Sequence, residues 1–484
     1  MSSIQKPMRT ILSTTIATIL VSNTYAGSFS LYTESSAVAT GNFAAGVAAE
    51  VADASTGWYN PAGLALIHNP QVVTGGVGIF PSSKITGTST FFTSTVPIPA
   101  LRTYTQSFND LDGADDGFVP FFHLAYPLGP NATAGLTVNA PFGLATNWSR
   151  TSPVRYQATY SEVITTNLAP EIGGRVTDYL SLGLGIDLQY ARVKLNRVLG
   201  SPAFGQLPVP GLSPTILDSY SYNKGDSFGV GFHAGALALF NDNHSRIGIN
   251  YQSQVNHKFH GWSRLTGPLA RSGLVNVSPT SAILAASTFG DPVFWSNDLS
   301  SNSVQLPDIV TLSGYHDLNE RLALLGSVVY TNWHTLRSIQ LYKVAGFAAG
   351  RGQARLFSES VTDYRNTWRA AIGANYRVND QWLVRVGGGY DQTPTVDEFR
   401  DIRIADSDRW ALSAGTHYQY NQNLGVDFGY THLFGIGSVP INRTDPAGAG
   451  STYSINARAK GKADLVALQA VWTMDSAEPP VMTK

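Results

Sequence analysis

The sequence predicts an all-β fold: a transmembrane antiparallel β-barrel of about fourteen strands, with an N-terminal plug, or hatch, inside the lumen. Three observations lead there. The chain opens on an export leader. Segments of about ten residues then alternate apolar and polar side chains. After the leader, no apolar run reaches the roughly 18 residues that a membrane helix needs.

Composition agrees. The 484 residues carry net charge -1, 13% charged residues, 47 glycines and 11% aromatics, with no cysteine. Mean hydropathy is near neutral at -0.04, as expected when each strand hides an apolar face behind a polar one. The near-zero charge argues against a nucleic-acid partner. Absence of cysteine fits an oxidising envelope.

At the N-terminus, Lys6 and Arg9 precede an apolar run from Ile11 to Val21, and Thr24-Tyr25-Ala26 reads as a small-x-small cleavage site. Residues 1–26 are therefore expected to be a cleaved signal peptide, with Gly27 as the mature start. Residues 27–70 are rich in Gly, Ala and Ser and lack strand alternation. Trp58, Tyr59 and the rigid Pro61 argue against a free tail, so this segment is assigned to the hatch. A barrel of this strand number leaks unless something fills it.

Residues 71–474 are assigned to the barrel, with long extracellular loops, and 475–484 to a periplasmic tail. In 368–377, Trp368, Ala370, Ile372, Ala374 and Tyr376 share one face, while Arg369, Gly373, Asn375 and Arg377 share the other. In 409–420, Trp410, Leu412, Ala414, Tyr418 and Tyr420 oppose Arg409, Ser413, His417 and Gln419. Ile247, Ile249, Tyr251 and Val255 are read as facing away from Arg246, Asn250, Gln252, Gln254 and Lys258. Period two assigns each set to one face of a strand, and Trp and Tyr at the strand ends suit a membrane interface. Asn319-Glu320, Asn379-Asp380 and Asn421-Gln422-Asn423 sit where tight turns are needed. The last strand is placed from about residue 463, with Val466, Leu468, Ala470 and Trp472 on its apolar face.

Pro141 reads two ways. It removes a backbone donor, and Gly143 beside it permits a bulge, so Pro141-Phe142-Gly143 could break a strand and open the wall. It could equally mark a strand end. The loops are unusually apolar, with Phe289, Phe294 and Trp295 in one of them. Such residues mark either a ligand-capture surface or, alternatively, packing of loop on loop or an interface with lipopolysaccharide.

Taken in order along the chain, several motifs resemble the FadL-type outer-membrane transporters of long-chain fatty acids and aromatic hydrocarbons. They are Trp58-Tyr59-Asn60-Pro61-Ala62, Pro141-Phe142-Gly143-Leu144-Ala145-Thr146, Leu306-Pro307-Asp308, Thr367-Trp368-Arg369, Tyr390-Asp391-Gln392-Thr393-Pro394 and Asp406-Ser407-Asp408-Arg409. The resemblance implies a hatch gated at Asn60, Pro61 and Ala62, capture of hydrophobic molecules by outer loops, a lumen pocket, and lateral release beside a kinked third strand at Pro141, Phe142 and Gly143. It also implies head-group binding by basic residues at the end of the fifth strand, where Arg192 and Lys194 stand; alternation with Leu182, Leu184 and Tyr190 points those two outward instead. The expected partners are hydrophobic small molecules, with outer-membrane lipid and lipopolysaccharide around a monomeric barrel. No cofactor, metal cluster or catalytic constellation is read, and the ten histidines are scattered. A general diffusion porin for polar solutes and a structural or adhesive barrel are the competing readings.

Overall fold

The computed structural model describes residues 25–287, 290–448 and 450–474; the leader up to residue 24, Phe289 and the tail from 475 lie outside the described residues. A short strand, β1 (Tyr25–Ser30), precedes the barrel. Fourteen antiparallel staves then close on themselves. The first five are β2 (Gln71–Thr93), β3 (Thr103–Asp112) with β4 (Gly117–Gly129), β5 (Ala132–Asn139) with β6 (Phe142–Asn147), β7 (Tyr160–Thr177) and β8 (Leu180–Leu199). The next four are β9 (Ser219–Phe240), β10 (Ser245–Gln252) with β11 (Val255–Thr266), β12 (Val293–Leu306) with β13 (Ile309–Asp317), and β14 (Leu322–Thr331) with β15 (Ser338–Ala348). The last five are β16 (Gly352–Val361) with β17 (Thr367–Arg377), β18 (Trp382–Asp391), β19 (Arg409–Gln419), β20 (Leu424–Gly435) with β21 (Val439–Pro446), and β22 (Ser451–Thr473). The seam pairs β2 with β22 without a break, from Gln71↔Thr473 to Thr93↔Ser451. Closure at this seam leaves no edge strand there to satisfy in lipid.

Alternation fixes which side chains meet lipid. Trp368, Ile372, Tyr376, Trp410, Leu412 and Leu468 are exposed, whereas Arg385, Asp391, Arg409 and Asp427 are buried. Aromatic pairs mark both rims of the lipid belt: Trp382 against Tyr418 at 4.5 Å on one side, and Tyr390 against Trp410 at 5.0 Å on the other. Trp382 and Tyr390 lie on one strand, about 26 Å apart at about 3.3 Å per residue. A tilt of about 40° reduces that to about 20 Å of height, close to the apolar band of an outer-membrane barrel. The short turns use one device. Asn319, Asn379 and Asn421 each accept from two backbone N–H groups that follow, at 2.8–3.0 Å, which closes the turn with a side chain.

One strand departs from the sequence reading. Ile247, Ile249 and Tyr251 face outward, but Val255, His257 and Phe259 are buried while Gln254, Asn256 and Lys258 are exposed. The ladder is interrupted at Ser253 and Gln254, between β10 and β11. An odd residue inserted into a period of two moves every later side chain to the other face. Lys258 and Gln254 are therefore outward, not in the lumen.

Candidate functional site: a filled lumen beside a break in the wall

Residues 31–66 pack against the inner wall as two short helices, α1 (Ala37–Asn42) and α2 (Thr56–Tyr59), and a 3₁₀ helix (Pro61–Leu66). Small residues let the segment lie flush on the wall. Gly248 is the clearest case: a Cβ there would overlap the Ala48 carbonyl oxygen. Ser36 caps α1 by accepting from Val38 N at 3.1 Å. Asn60 caps the 3₁₀ helix, its Oδ1 accepting from Ala62 N at 3.1 Å, and Pro61 follows at the first helical position, where its missing N–H costs nothing. Asn60 also donates from Nδ2 to Ala48 O at 2.7 Å and to Ala236 O on the wall at 3.1 Å. Asn60, Pro61 and Ala62 thus join the fold of the hatch to its seat, with Ala62 fully buried beside Leu237 and Leu239.

Charged groups complete the seat. Glu50 accepts from Asn375 Nδ2 at 2.6 Å and lies 3.8 Å from Arg385, which pairs with Asp427 at 2.8 Å. Asp53 accepts from Gln469 Nε2 at 2.7 Å. Asp391 bridges Arg369 and Arg409, at 2.9 Å each. Glu34 is buried, with Arg369 as its main counter-charge; burial outweighs that attraction and pushes its carboxyl up to about 7. Burial raises Glu50 and Asp53 as well.

The wall is broken beside this hatch. Pairing of β4 with β5 stops at Phe122↔Val138. Beyond it, β6 still pairs with β7, from Gly143↔Ile164, but not with β4; Gly117 to Phe121 pair with β2 alone. Pro141 sits at the break. Phe142 is held by the side chain of Thr165, which accepts from Phe142 N at 2.9 Å and donates to Phe142 O at 2.8 Å. A single bridge, Ala114↔Thr146, closes the top of the gap. Buried Val119, Phe121, Phe142 and Leu144 belong to the segments framing it. The free edge of β6 is taken up by β1, where Ser30 faces Phe142 and the register then shifts toward Tyr25, and Leu31 N donates to Pro141 O at 2.9 Å. Below, Ser35 is tied to both sides of the break, through His123 Nε2 at 2.8 Å and Asn139 Nδ2 at 2.9 Å.

An apolar cleft lies above the hatch, lined by Leu144, Val163, Leu195, Leu336, Ile339 and Phe399, with Asp401 and Arg403 at its polar end. Arg403 Nη1 donates to Asp401 at 2.8 Å, and its buried Nε has no partner. The cleft holds about 40 Å³ of open volume, room for roughly three waters. A second space of about 20 Å³ adjoins Leu31, Tyr32, Trp58, Pro141 and Phe142. Both spaces are small, because residues 31–66 pack into the lumen.

The remaining sequence candidates do not converge on this site. Arg192 and Lys194 stand on the outer face, in line with exposed Leu182, Leu184 and Tyr190, and both pair with Glu162, at 2.9 and 3.1 Å. They do not line the lumen cleft. Phe294 packs into a cluster of loop residues with Leu265, Leu269 and Leu274, while Trp295 is exposed on the outside against Trp262 at 5.2 Å. The two lie on opposite faces of β12, and Phe289 lies outside the described residues. Sequence reasoning missed Glu34 and Arg403. The Asp406-Ser407-Asp408-Arg409 motif was the available signal for Arg403: Asp406 accepts from Thr393 Oγ1 at 2.7 Å and Asp408 from Thr393 N at 2.9 Å, which folds the segment carrying Arg403 over the lumen.

Comparison with known proteins decides the family. Residues 17–474 match the outer membrane protein transport protein family (OMPP1/FadL/TodX). The chain belongs to this family. A long-chain fatty acid transport protein of Salmonella typhi is 30% identical over 448 residues, 90% of this chain and 94% of that protein. Outer membrane protein P1 of Haemophilus influenzae is 30% identical over 81% of this chain and 82% of its own length. Among solved structures, a Pseudomonas aeruginosa FadL homologue superposes with a TM-score of 0.73 at 23% identity, covering 92% of this chain and 99% of that one. The FadL/TodX family consists of transport proteins, not enzymes, and resides in the outer membrane.

Proposed function

We propose that this family member takes up long-chain fatty acids or similar hydrocarbons passively, binds them in the cleft above the hatch, and releases them sideways through the break at Pro141. The observation that carries the reading is the combination of a filled axis with a wall gap framed by Val119, Phe121, Phe142 and Leu144. An apolar solute gains nothing by entering periplasmic water, because burying apolar area is worth about 25 cal/mol per Å²; a side exit keeps it in contact with apolar surface. The similarity to fatty acid transport proteins at 30% identity supports the substrate class, and the unpartnered Nε–H of Arg403, whose guanidinium is otherwise paired with Asp401, offers a donor to a carboxylate. A general porin for polar solutes would need an open axis, which the seated hatch denies. The apolar residues of the 263–303 loop pack largely on one another.

The test uses the register of β1 on β6. The chain has no cysteine, so a Ser30→Cys, Phe142→Cys pair places two thiols on facing residues. The oxidised barrel is expected to stop taking up labelled palmitate, with reductant restoring uptake. Undiminished uptake in the fully oxidised protein would refute side release.

A further inference from the structure

The outer wall carries a polar site unconnected with the lumen. On β7, β8 and β9 the outward side chains are apolar up to one level: Leu168 and Ile172, Leu184 and Ile186, Phe228 and Val230, all exposed. Above it they change to Tyr160 and Glu162, Arg192 and Lys194, Lys224 and Tyr222. That line is where acyl chains give way to head groups.

There the strands bring like charges together. Lys194 and Lys224 are direct register partners, as are Arg192 and Asp226. Like charges placed directly opposite each other destabilise a sheet unless an anion lies between them. Glu162 is already shared by Arg192 and Lys194, Asp226 lies 3.6 Å from Lys224, and Asp115 stands near Tyr160. Against these stand Arg150, Arg192, Lys194, Lys224 and Arg264. Arg150 has no carboxylate partner among the described residues; its guanidinium lies 3.6 Å over the Tyr220 ring.

Beside this cluster is a cavity of about 260 Å³, several times the open volume of the lumen cleft. Arg150, Lys194, Tyr160, Tyr220, Tyr222 and Thr159 line it. Thr159 is 2% exposed and its Oγ1 has no hydrogen-bond partner. A buried hydroxyl left unpaired costs about 1–3 kcal/mol, so its place on the cavity wall calls for a polar occupant.

We propose that this cavity binds the phosphorylated sugar head group of an outer-leaflet glycolipid, with Arg150 and Lys194 on its phosphate, Lys224 adding its charge from across the ladder, and the tyrosines against its sugar rings. The acyl chains then run down the apolar stripe of Phe228, Val230, Leu184 and Ile186. Ammonium and guanidinium groups make short charge-assisted bonds to phosphate. Tyrosine supplies an apolar ring face with a polar tip, a combination suited to an interface that is half wet.

The experiment is native mass spectrometry of the full-length barrel extracted from outer membranes, repeated after delipidation and addition of bisphosphorylated lipid A. The wild type is expected to retain phosphorylated glycolipid, and the Lys194→Gln, Lys224→Gln double variant to retain at least tenfold less. Lys224→Gln alone, at a half-exposed position, and Thr159→Val provide a reading if the double variant fails to assemble, and each is expected to lower retention severalfold. Heat-dependent gel mobility verifies folding. Equal retention by wild type and folded variants overturns the proposal. So does equal binding of dephosphorylated lipid A, or saturation by inorganic phosphate alone, which would make this a site for small anions.

Discussion

Asn60→Ala should unseat the hatch without unfolding the barrel. The side chain makes three bonds: it donates to Ala48 O and Ala236 O, and accepts from Ala62 N. Each is worth about 1 kcal/mol net, and loss of an N-cap alone costs about 1 kcal/mol. Removing all three shifts the balance between seated and unseated hatch by about 3 kcal/mol, roughly a hundredfold at 1.4 kcal/mol per factor of ten. The barrel ladder is untouched, because Ala236 keeps its register partners Ile249 and Leu182. Asn60→Ser retains a capping oxygen and loses the two donated bonds, so it should shift the balance by roughly tenfold to fortyfold. Single-channel recording in planar bilayers measures this directly as the fraction of time spent conducting. A graded rise from wild type to Ser to Ala is expected. Equal open fractions in three folded proteins would refute the claim that Asn60 holds the hatch to the wall.

Two further perturbations follow from the same geometry. Glu34 has its folded-state carboxyl raised from 4.5 to about 7, so below about pH 4.5 both the seated and the released hatch hold the proton, between pH 4.5 and 7 only the seated one does, and across that interval the seated state loses up to about 3 kcal/mol, with no further loss above 7; hatch opening should therefore increase from pH 4.5 to pH 7 and then level off, and Glu34→Gln should flatten that profile, whereas an unchanged slope would acquit Glu34. Gly248→Val should displace the hatch, since its Cβ overlaps the Ala48 carbonyl and overpacking costs about 1–3 kcal/mol; Gly314→Ala, on the neighbouring stave with nothing within 4 Å, should leave conductance unaltered, and equal effects of the two would show that contact with the hatch is irrelevant.

The lipid belt was the legible part of the sequence, for a physical reason. Lipid punishes a polar side chain on the outer face, so Trp368 to Tyr376 and Trp410 to Tyr420 alternate cleanly and their facing agrees with the structure. Above the belt water relaxes that demand. β22 begins at Ser451, well before the expected start near 463: here Ser454, Asn456 and Arg458 take the outward positions, and the apolar stripe of Tyr453, Ile455, Ala457 and Ala459 is the buried one, the reverse of the lipid-belt pattern. The flip at Ser253 is hidden because a period of two carries parity straight across an inserted residue that has no signature of its own. Proline 141 was seen as a possible break, and the ladder does stop there, but the chain that fills the gap is β1, which no local pattern ties to β6. The partners of Glu34, Glu50 and Asp53 were equally hidden: Arg369, Asn375 and Gln469 follow more than three hundred residues later in the chain, and only closure of the barrel brings them inward.

The axial and lateral closures share one segment, and this makes the proposed route energetically accessible. Ser30 to Ser35 fills the wall gap through Leu31 and Pro141, is tied to both sides of it through His123 and Asn139, and continues directly into α1 of the hatch. Withdrawing it breaks these three bonds and the two that Tyr32 makes with Thr311 and Tyr59, at about 1 kcal/mol each, and exposes Leu31 and Tyr32, now buried. Full burial of such a side chain is worth about 1.5–3 kcal/mol, so the total comes to about 8–11 kcal/mol. That is enough to keep an empty barrel shut. It is also comparable to the roughly 8 kcal/mol that a ligand of micromolar affinity supplies. A hydrophobic solute that occupies the space near Phe142 covers the apolar surface that Leu31 and Tyr32 now cover, so the cost of opening falls as the ligand arrives. On the proposed route no external energy source is required, because the ligand replaces the contacts of the segment it displaces.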